Sequence, residues 1–144
     1  MIFFDASAAA KRYFLESGSD RVNELWSGVD LLSSLVILHC ELASALNRKR
    51  RERALPRGAY SAIKERIQDD LAKIRTVPIN AELIRLALRL LDAHPLQVLD
   101  SLYLAGALEL GENSKEPVLF VSSDRQLLQA AQAESLHTLN PELR

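Results

Sequence analysis

The sequence predicts an α/β domain with a mainly parallel sheet. Two observations carry this. Short β-prone apolar runs, Ile2–Phe4 and Val118–Val121 foremost, are each followed by a helical pattern, and strands alternating with helices fold as crossover units whose strands lie parallel. The composition, 48% hydrophobic and 26% charged, suits a globular chain able to bury a core. At 144 residues the chain fits one domain, spanning 1–144, and it shows no internal repeat or linker.

Ile2-Phe3-Phe4 reads as a buried first strand ending at Asp5. Ala6 to Leu15 is Ala-rich with Lys and Arg and reads as helix, stopped by Gly18. Ser19 and Asp20 can cap a second helix carrying Val22, Leu25 and Trp26. Leu31 to Ile37 is a second strand, and Leu38 to Arg53 is helical, with Leu38, Leu42, Ala45 and Leu46 on one face. Leu55-Pro56-Arg57-Gly58 breaks the chain before a long amphipathic helix marked by Tyr60, Ile63, Ile67, Leu71 and Ile74. Thr76 to Ile79 is β-like, Asn80 caps a helix that begins at Ala81 and ends near His94-Pro95, and another helix runs from Leu96 to Leu110. Because Leu38 to Leu110 is almost all helix, this is not a regular doubly wound repeat. Pro117 opens the strand Val118–Val121, Asp124 begins a last helix, and Leu136 to Leu139 forms a final strand.

Lys and Arg number 18 against 19 Asp and Glu, a net charge of -1, so any nucleic-acid site must be a local patch. A single cysteine, Cys40, excludes an internal disulfide. No signal-peptide pattern opens the chain, and no apolar run reaches the ~18 residues of a membrane span. The chain reads as cytoplasmic and complete.

Four acids stand out. Asp5 and Asp124 follow strands, and in open parallel sheets ligand sites lie at the carboxyl ends of strands. The plain alternative for each is an N-cap. Asp100 shares a helical stripe with Leu96, Tyr103, Leu104 and Ala107, and Glu41 shares one with Ile37, Leu38, Ser44 and Ala45. An ionised acid in an apolar stripe is costly unless it is paired or binds a metal, so a buried salt bridge or a stripe edge is the alternative here. If the four converge, two unit charges 4 Å apart repel by about 4 kcal/mol at an effective dielectric of 20. A divalent cation relieves that repulsion, and an all-oxygen carboxylate set suits Mg²⁺ or Mn²⁺. Such ions activate water and stabilise charge on phosphoryl oxygens, which makes a phosphodiester the fitting substrate.

The same residues match a family in order along the chain. Ile2-Phe3-Phe4-Asp5-Ala6-Ser7-Ala8 resembles the opening strand and D-x-S/T motif of PIN-domain nucleases, especially VapC-type toxins of toxin–antitoxin pairs. Glu41 resembles their second acid, and His94 to Ala105 is similar to the helix carrying their third, at Asp100. Phe120 to Leu128 resembles their last strand and fourth acid, Asp124, with Ser122 in the usual T/S place. The resemblance spans residues 1 to about 141. It implies a PIN-like α/β/α sandwich around a mainly parallel sheet of four to five strands, Mg²⁺- or Mn²⁺-dependent RNA cleavage, homodimerisation and an inhibitory antitoxin partner. It makes Asp5, Asp100 and Asp124 metal ligands, and Glu41 a ligand directly or through water. Ser7 and Ser122 would orient ligands or water.

Other features carry less. His39-Cys40-Glu41 matches the H-x-E half of a zinc deaminase, but the second cysteine motif is absent. Arg48-Lys49-Arg50-Arg51-Glu52-Arg53 reads as a solvated helix end, or as a contact for RNA phosphates or an acidic partner through Arg48 and Arg50. Arg12 and Arg125, near the acids in sequence, either help hold a phosphate or are plain surface. Trp26, Tyr13 and Tyr103 read as packing, since no aromatic ladder interleaves with basic residues. His94 and His137 lack ligand spacing, and glycine-rich phosphate loops and nucleophile elbows are absent. The leading expectation is an endoribonuclease toxin that hydrolyses RNA without a covalent intermediate. The rivals are a PIN-type nuclease outside any toxin pair, acting in RNA processing or on DNA, and a non-catalytic RNA-binding protein that keeps the fold.

Overall fold

The computed structural model describes residues 1–28 and 31–143. Among these residues, five strands and seven helices follow in the order β1 (Ile2–Phe4), α1 (Ala6–Ala10), α2 (Ser19–Gly28), β2 (Leu32–Leu35), α3 (Leu38–Arg51), α4 (Ala59–Leu71), β3 (Arg75–Val77), α5 (Ala81–Ala93), α6 (Val98–Ser114), β4 (Leu119–Val121), α7 (Arg125–Ala133) and β5 (His137–Leu139). All strand pairs are parallel, in the order β3-β2-β1-β4-β5. The sheet is therefore wholly parallel and five-stranded, at the upper end of the expected size.

Central position explains why β1 is apolar at every residue. Ile2 and Phe4 point into one core with Val22, Trp26, Leu38, Leu42 and Leu46, under α1 to α4. Phe3 points into the other with Leu83, Leu90, Tyr103, Leu104 and Leu127, under α5 to α7. A strand covered on both faces needs no polar side. In β2 the serines are fully buried, and they are satisfied across the ladder. Ser33 donates to the Ile2 carbonyl and Ser34 to the Phe4 carbonyl, both at 2.7 Å. At Gly106 of α6, a Cβ would lie 3.1 Å from both Leu35 Cδ1 and Phe3 Cζ, so the missing side chain lets that helix sit close on the sheet.

Several boundaries differ from the sequence expectation. The α1 helix stops at Ala10 rather than Leu15, because Lys11, Arg12 and Tyr13 tighten into i→i+3 bonds to Ala8, Ala9 and Ala10. That turn drops Tyr13 and Phe14 into the core. Strand β2 ends at Leu35, since Ile37 already has helical backbone (φ -64, ψ -15) as the N-cap of α3. Ile74 falls beyond α4, and β3 ends before Pro78, which has no N–H for the ladder. Helix α6 starts at Val98, not Leu96, because Pro95 holds His94 extended (φ -137, ψ 148). It then runs past Leu110 to Ser114, where Lys115 turns left-handed at φ 56. No helix among the described residues is long and apolar enough to cross a membrane.

Candidate active site

The strand order reverses direction between β1 and β4, and the crevice at such a switch point is where open α/β sheets bind ligands. Asp5 leaves the carboxyl end of β1 and Asp124 follows β4. Both are N-caps: Asp5 accepts from the Ala8 amide at 2.9 Å and Asp124 from the Leu127 amide at 3.1 Å. The capping alternative and the site thus coexist, since a cap uses only part of a carboxylate.

Asp5 is 3% exposed. Ser7 Oγ lies 2.8 and 2.9 Å from its two oxygens, and Ser122 Oγ donates to Oδ2 at 2.6 Å. Each serine also reaches the loop carrying the fourth acid. Ser122 Oγ accepts from the Asp124 amide and Ser7 Oγ from the Ser123 amide, both at 3.0 Å. Two hydroxyls thereby lock the end of β1 to the start of α7.

Asp100 stands in the first turn of α6, and Glu41 in the first turn of α3. Tyr103, 2% exposed, donates its hydroxyl to Glu41 Oε2. The sequence reading placed Tyr103 in packing, and its ring is indeed in the core; its polar tip went unassigned. The signal was available, because Tyr103 is the polar-tipped residue on the Asp100 stripe and a buried phenol needs a partner.

Proton affinities show that the acids share one field. Burial pushes Asp5 up to about 6 against the hydrogen bonds from Ser122, Ala8 and Ser7, and the Asp100 charge adds to the rise. Asp100 is raised by burial, then by Asp124 and Glu41. Burial also raises the Tyr103 phenol, followed by its bond to Glu41 and the charges of Glu41, Asp5 and Asp100. Asp100 thus acts on Asp5 and is acted on by Asp124 and Glu41. Among the described residues none of the four has a Lys, Arg or His ion-pair partner, so the buried salt bridge considered for Asp100 and Glu41 is not what the structure holds. Among the described residues no group of three or more His, Cys, Asp or Glu is placed so that it could hold a metal ion. The donor set nevertheless fits a hard divalent cation: it is all oxygen and anionic, and it lacks a protein counter-ion.

The basic residues separate. Arg48 lines a groove of about 520 Å³ together with Glu41, Ser7, Ala10, Ser44 and Leu99. Arg125 is the first residue of α7, beside Asp124. Arg50 lies over the Tyr60 ring at 4.3 Å. Arg12 departs from both expectations. Its guanidinium is held by Asp70 at 2.7 Å and Asn23 at 3.1 Å, and lies 4.8 Å over Trp26. With 15% of its side chain exposed, it is neither free for phosphate nor plain surface.

Among known proteins, the PIN domain family model matches residues 2–133. The chain belongs to the PIN-domain family. Ribonuclease VapC45 of Mycobacterium tuberculosis is 32% identical over 134 residues, covering 92% of this chain and 90% of that protein. The PIN fold is shared with the Mycobacterium tuberculosis sarcin–ricin loop cleaving toxin VapC20, at a TM-score of 0.64 and 19% identity over 100% of this chain and 99% of that one. It is shared too with a chain of a toxin–antitoxin complex from Klebsiella pneumoniae, at a TM-score of 0.59 and 10% identity over 98% of each.

Proposed function

We propose that this PIN-domain protein is a metal-dependent endoribonuclease, the toxin of a toxin–antitoxin pair, hydrolysing RNA phosphodiester bonds. The observation that supports the reading is four carboxylates linked by their mutual electrostatic influence, none of them ion-paired to a Lys, Arg or His among the described residues. Asp5, Glu41, Asp100 and Asp124 would hold Mg²⁺ or Mn²⁺, which when bound supplies activated water and charge stabilisation at phosphorus. The chain's own contribution is preorganisation. Ser7, Ser122 and the Ala8 amide fix both Asp5 oxygens, and one shared Ser7 proton leaves carboxylate lone-pair capacity over. Tyr103 fixes Glu41. Arg48 and Arg125 flank the acids and are the proposed contacts for RNA phosphates.

Two further parts of the reading rest on the relatives and the surface. A cognate antitoxin is the proposed partner, in line with the Klebsiella pneumoniae complex. A homodimer is supported by exposed Ile84 and Leu88, one turn apart on α5, an apolar pair that a second copy would cover. The protein would act in the cytoplasm, where its RNA substrate is.

The test is cleavage of a labelled RNA with Mg²⁺, with EDTA, and by Asp100→Asn. Cleavage should vanish in EDTA. The variant should lose roughly a hundredfold or more, beyond what loss of a partner outside the ligand set costs. Unchanged cleavage by Asp100→Asn with a folded protein would sink the proposal, and calorimetric Mn²⁺ titration of both proteins checks the ligand role directly.

A further inference from the structure

The groove that Arg48 shares with Glu41 and Ser7 has a lining that the four acids do not account for. It holds about 520 Å³ between α1, α3 and the start of α6, within the range of about 300–1,000 Å³ that small-ligand pockets occupy. Its walls are mostly aliphatic, from Ala6, Ala10, Ile37, Leu42, Ala45 and Leu99. Half of these are alanines, so the space exists because the side chains bordering it are short.

The two ends of the groove differ in charge. At one end Ser7 Oγ contacts Asp5, Tyr103 donates to Glu41, and Leu99 directly precedes Asp100. The other end is Arg48. Glu41, Ser44, Ala45 and Arg48 fall at i, i+3, i+4 and i+7 on one face of α3. At a rise of about 1.5 Å per residue, Arg48 lies about 10 Å along the axis from Glu41. The basic run at this helix end is divided by what each side chain meets. Lys49 lies over the Phe14 ring at 5.0 Å and Arg50 over Tyr60 at 4.3 Å. The Arg48 side chain is exposed and makes no ion pair with an acid among the described residues.

The candidate active site, an apolar stretch and an unpaired guanidinium follow one another as phosphate, base and phosphate do along a single RNA strand. A polypeptide offers no such regular alternation of anions and flat rings. We propose that the α1–α3 groove is the subsite for one unpaired nucleotide flanking the cleaved phosphodiester, its base seated against Ala10, Ala45 and Leu99 and its far phosphate held by Arg48. This rests on the ribonuclease reading above and adds the direction in which the strand runs. Among the described residues the lining holds no aromatic ring, so the base is held by aliphatic contact rather than by stacking. Bulk introduced at Ala45 would close the seat.

Cys40, exposed on the groove wall and the single cysteine of the chain, reports occupancy there. Its alkylation by N-ethylmaleimide is timed by intact mass, in Asp100→Asn protein with Mg²⁺, with and without a single-stranded oligoribonucleotide. With RNA at ten times its Kd the reaction should slow roughly tenfold, following the free fraction. Ala45→Leu puts a good helix former into the groove. In the same background it should weaken RNA binding about tenfold by anisotropy, near the cost of losing one base contact, with Mn²⁺ affinity by calorimetry unchanged. In the protein with all four acids it should raise KM about tenfold and keep kcat within about twofold, since the lost contact serves ground state and transition state alike. Arg48→Gln should weaken binding and lower the log–log salt slope by about 0.7. Alkylation of Cys40 at an undiminished rate with RNA bound, or folded Ala45→Leu with unchanged affinity and KM, overturns the subsite and leaves the groove to a protein segment. If wild type does not cleave RNA in Mg²⁺ and Asp100→Asn does not bind it, the ribonuclease reading fails and takes the subsite with it. Cleavage by wild type with the KM of Ala45→Leu unmoved sinks the subsite alone.

Discussion

Replacing Asp5 by Asn should stabilise the metal-free protein at neutral pH while abolishing cleavage. Asp5 is 3% exposed, and its carboxyl is raised from 3.8 to about 6, chiefly by burial. A folded pKa above the unfolded one means stability that is fully present below about pH 3.8 and lost as pH rises through about 6. The total is about 3 kcal/mol, of which about 2 kcal/mol is lost between pH 4.5 and 7.5. Asn keeps the shape and cannot ionise, so it escapes this loss. The amide must still face the Ser122 hydroxyl, which has to turn from donor to acceptor, and that cost is common to every pH. The decisive quantity is therefore the change with pH in the stability difference between the two proteins, from urea denaturation in EDTA. Asn should gain about 2 kcal/mol on wild type from pH 4.5 to 7.5. Adding Mg²⁺ should then stabilise wild type and leave the variant behind. A difference that stays flat with pH, or one that turns against Asn, would refute the claim that Asp5 is held ionised at a cost.

Two other substitutions separate the site from the scaffold. Tyr103→Phe removes the hydroxyl that holds Glu41 and keeps the ring in the core. RNA cleavage at subsaturating Mg²⁺ should fall roughly 10- to 100-fold and recover in part at high Mg²⁺, and an unchanged Mg²⁺ titration would remove Tyr103 from the site. Arg12→Gln leaves Asp70 and the Tyr13 hydroxyl without their cation, so urea denaturation should show a loss of roughly 3 kcal/mol. Cleavage per folded molecule should stay within about twofold of wild type, because a contact counted as structural carries no transition-state energy; a selective loss of cleavage would return Arg12 to the RNA site.

What the sequence disclosed follows the range of each interaction. Ile2–Phe4 and Val118–Val121 were legible because a strand buried on both faces shows as an unbroken apolar run. Asp100 was legible because an acid within an apolar stripe needs a reason wherever the helix packs. The end of α1 was not, since Tyr13 and Phe14 turn inward only against Trp26 and the α4 side of the core. Arg12 was misread for a related cause: seven residues from Asp5 in sequence, it is claimed by Asp70 from α4. The Tyr103–Glu41 and Lys11–Glu142 contacts join segments 62 and 131 residues apart. No local periodicity encodes such pairs. They exist because the parallel sheet, through its order β3-β2-β1-β4-β5, brings the ends of β1 and β4 together.

Asp70 supplies an internal comparison that bears on what the four acids are for. It is a buried acid, 9% exposed, and the fold surrounds it with the Arg12 guanidinium at 2.7 Å and the Tyr13 hydroxyl at 2.9 Å. Asp5 is more buried still, yet its donors are two serine hydroxyls and a backbone amide, all neutral. The same chain thus knows how to neutralise a buried carboxylate and does so at one site and not at the other. Neutral donors orient an anion without cancelling its charge, and at Asp100 the charges of Asp124 and Glu41 add to the effect of burial. A fold selected for stability alone would have spread or paired these groups. Acids that influence one another, with no ion-pairing Lys, Arg or His among the described residues, are what the proposed metal site requires, because there the missing positive charge would arrive with the ion.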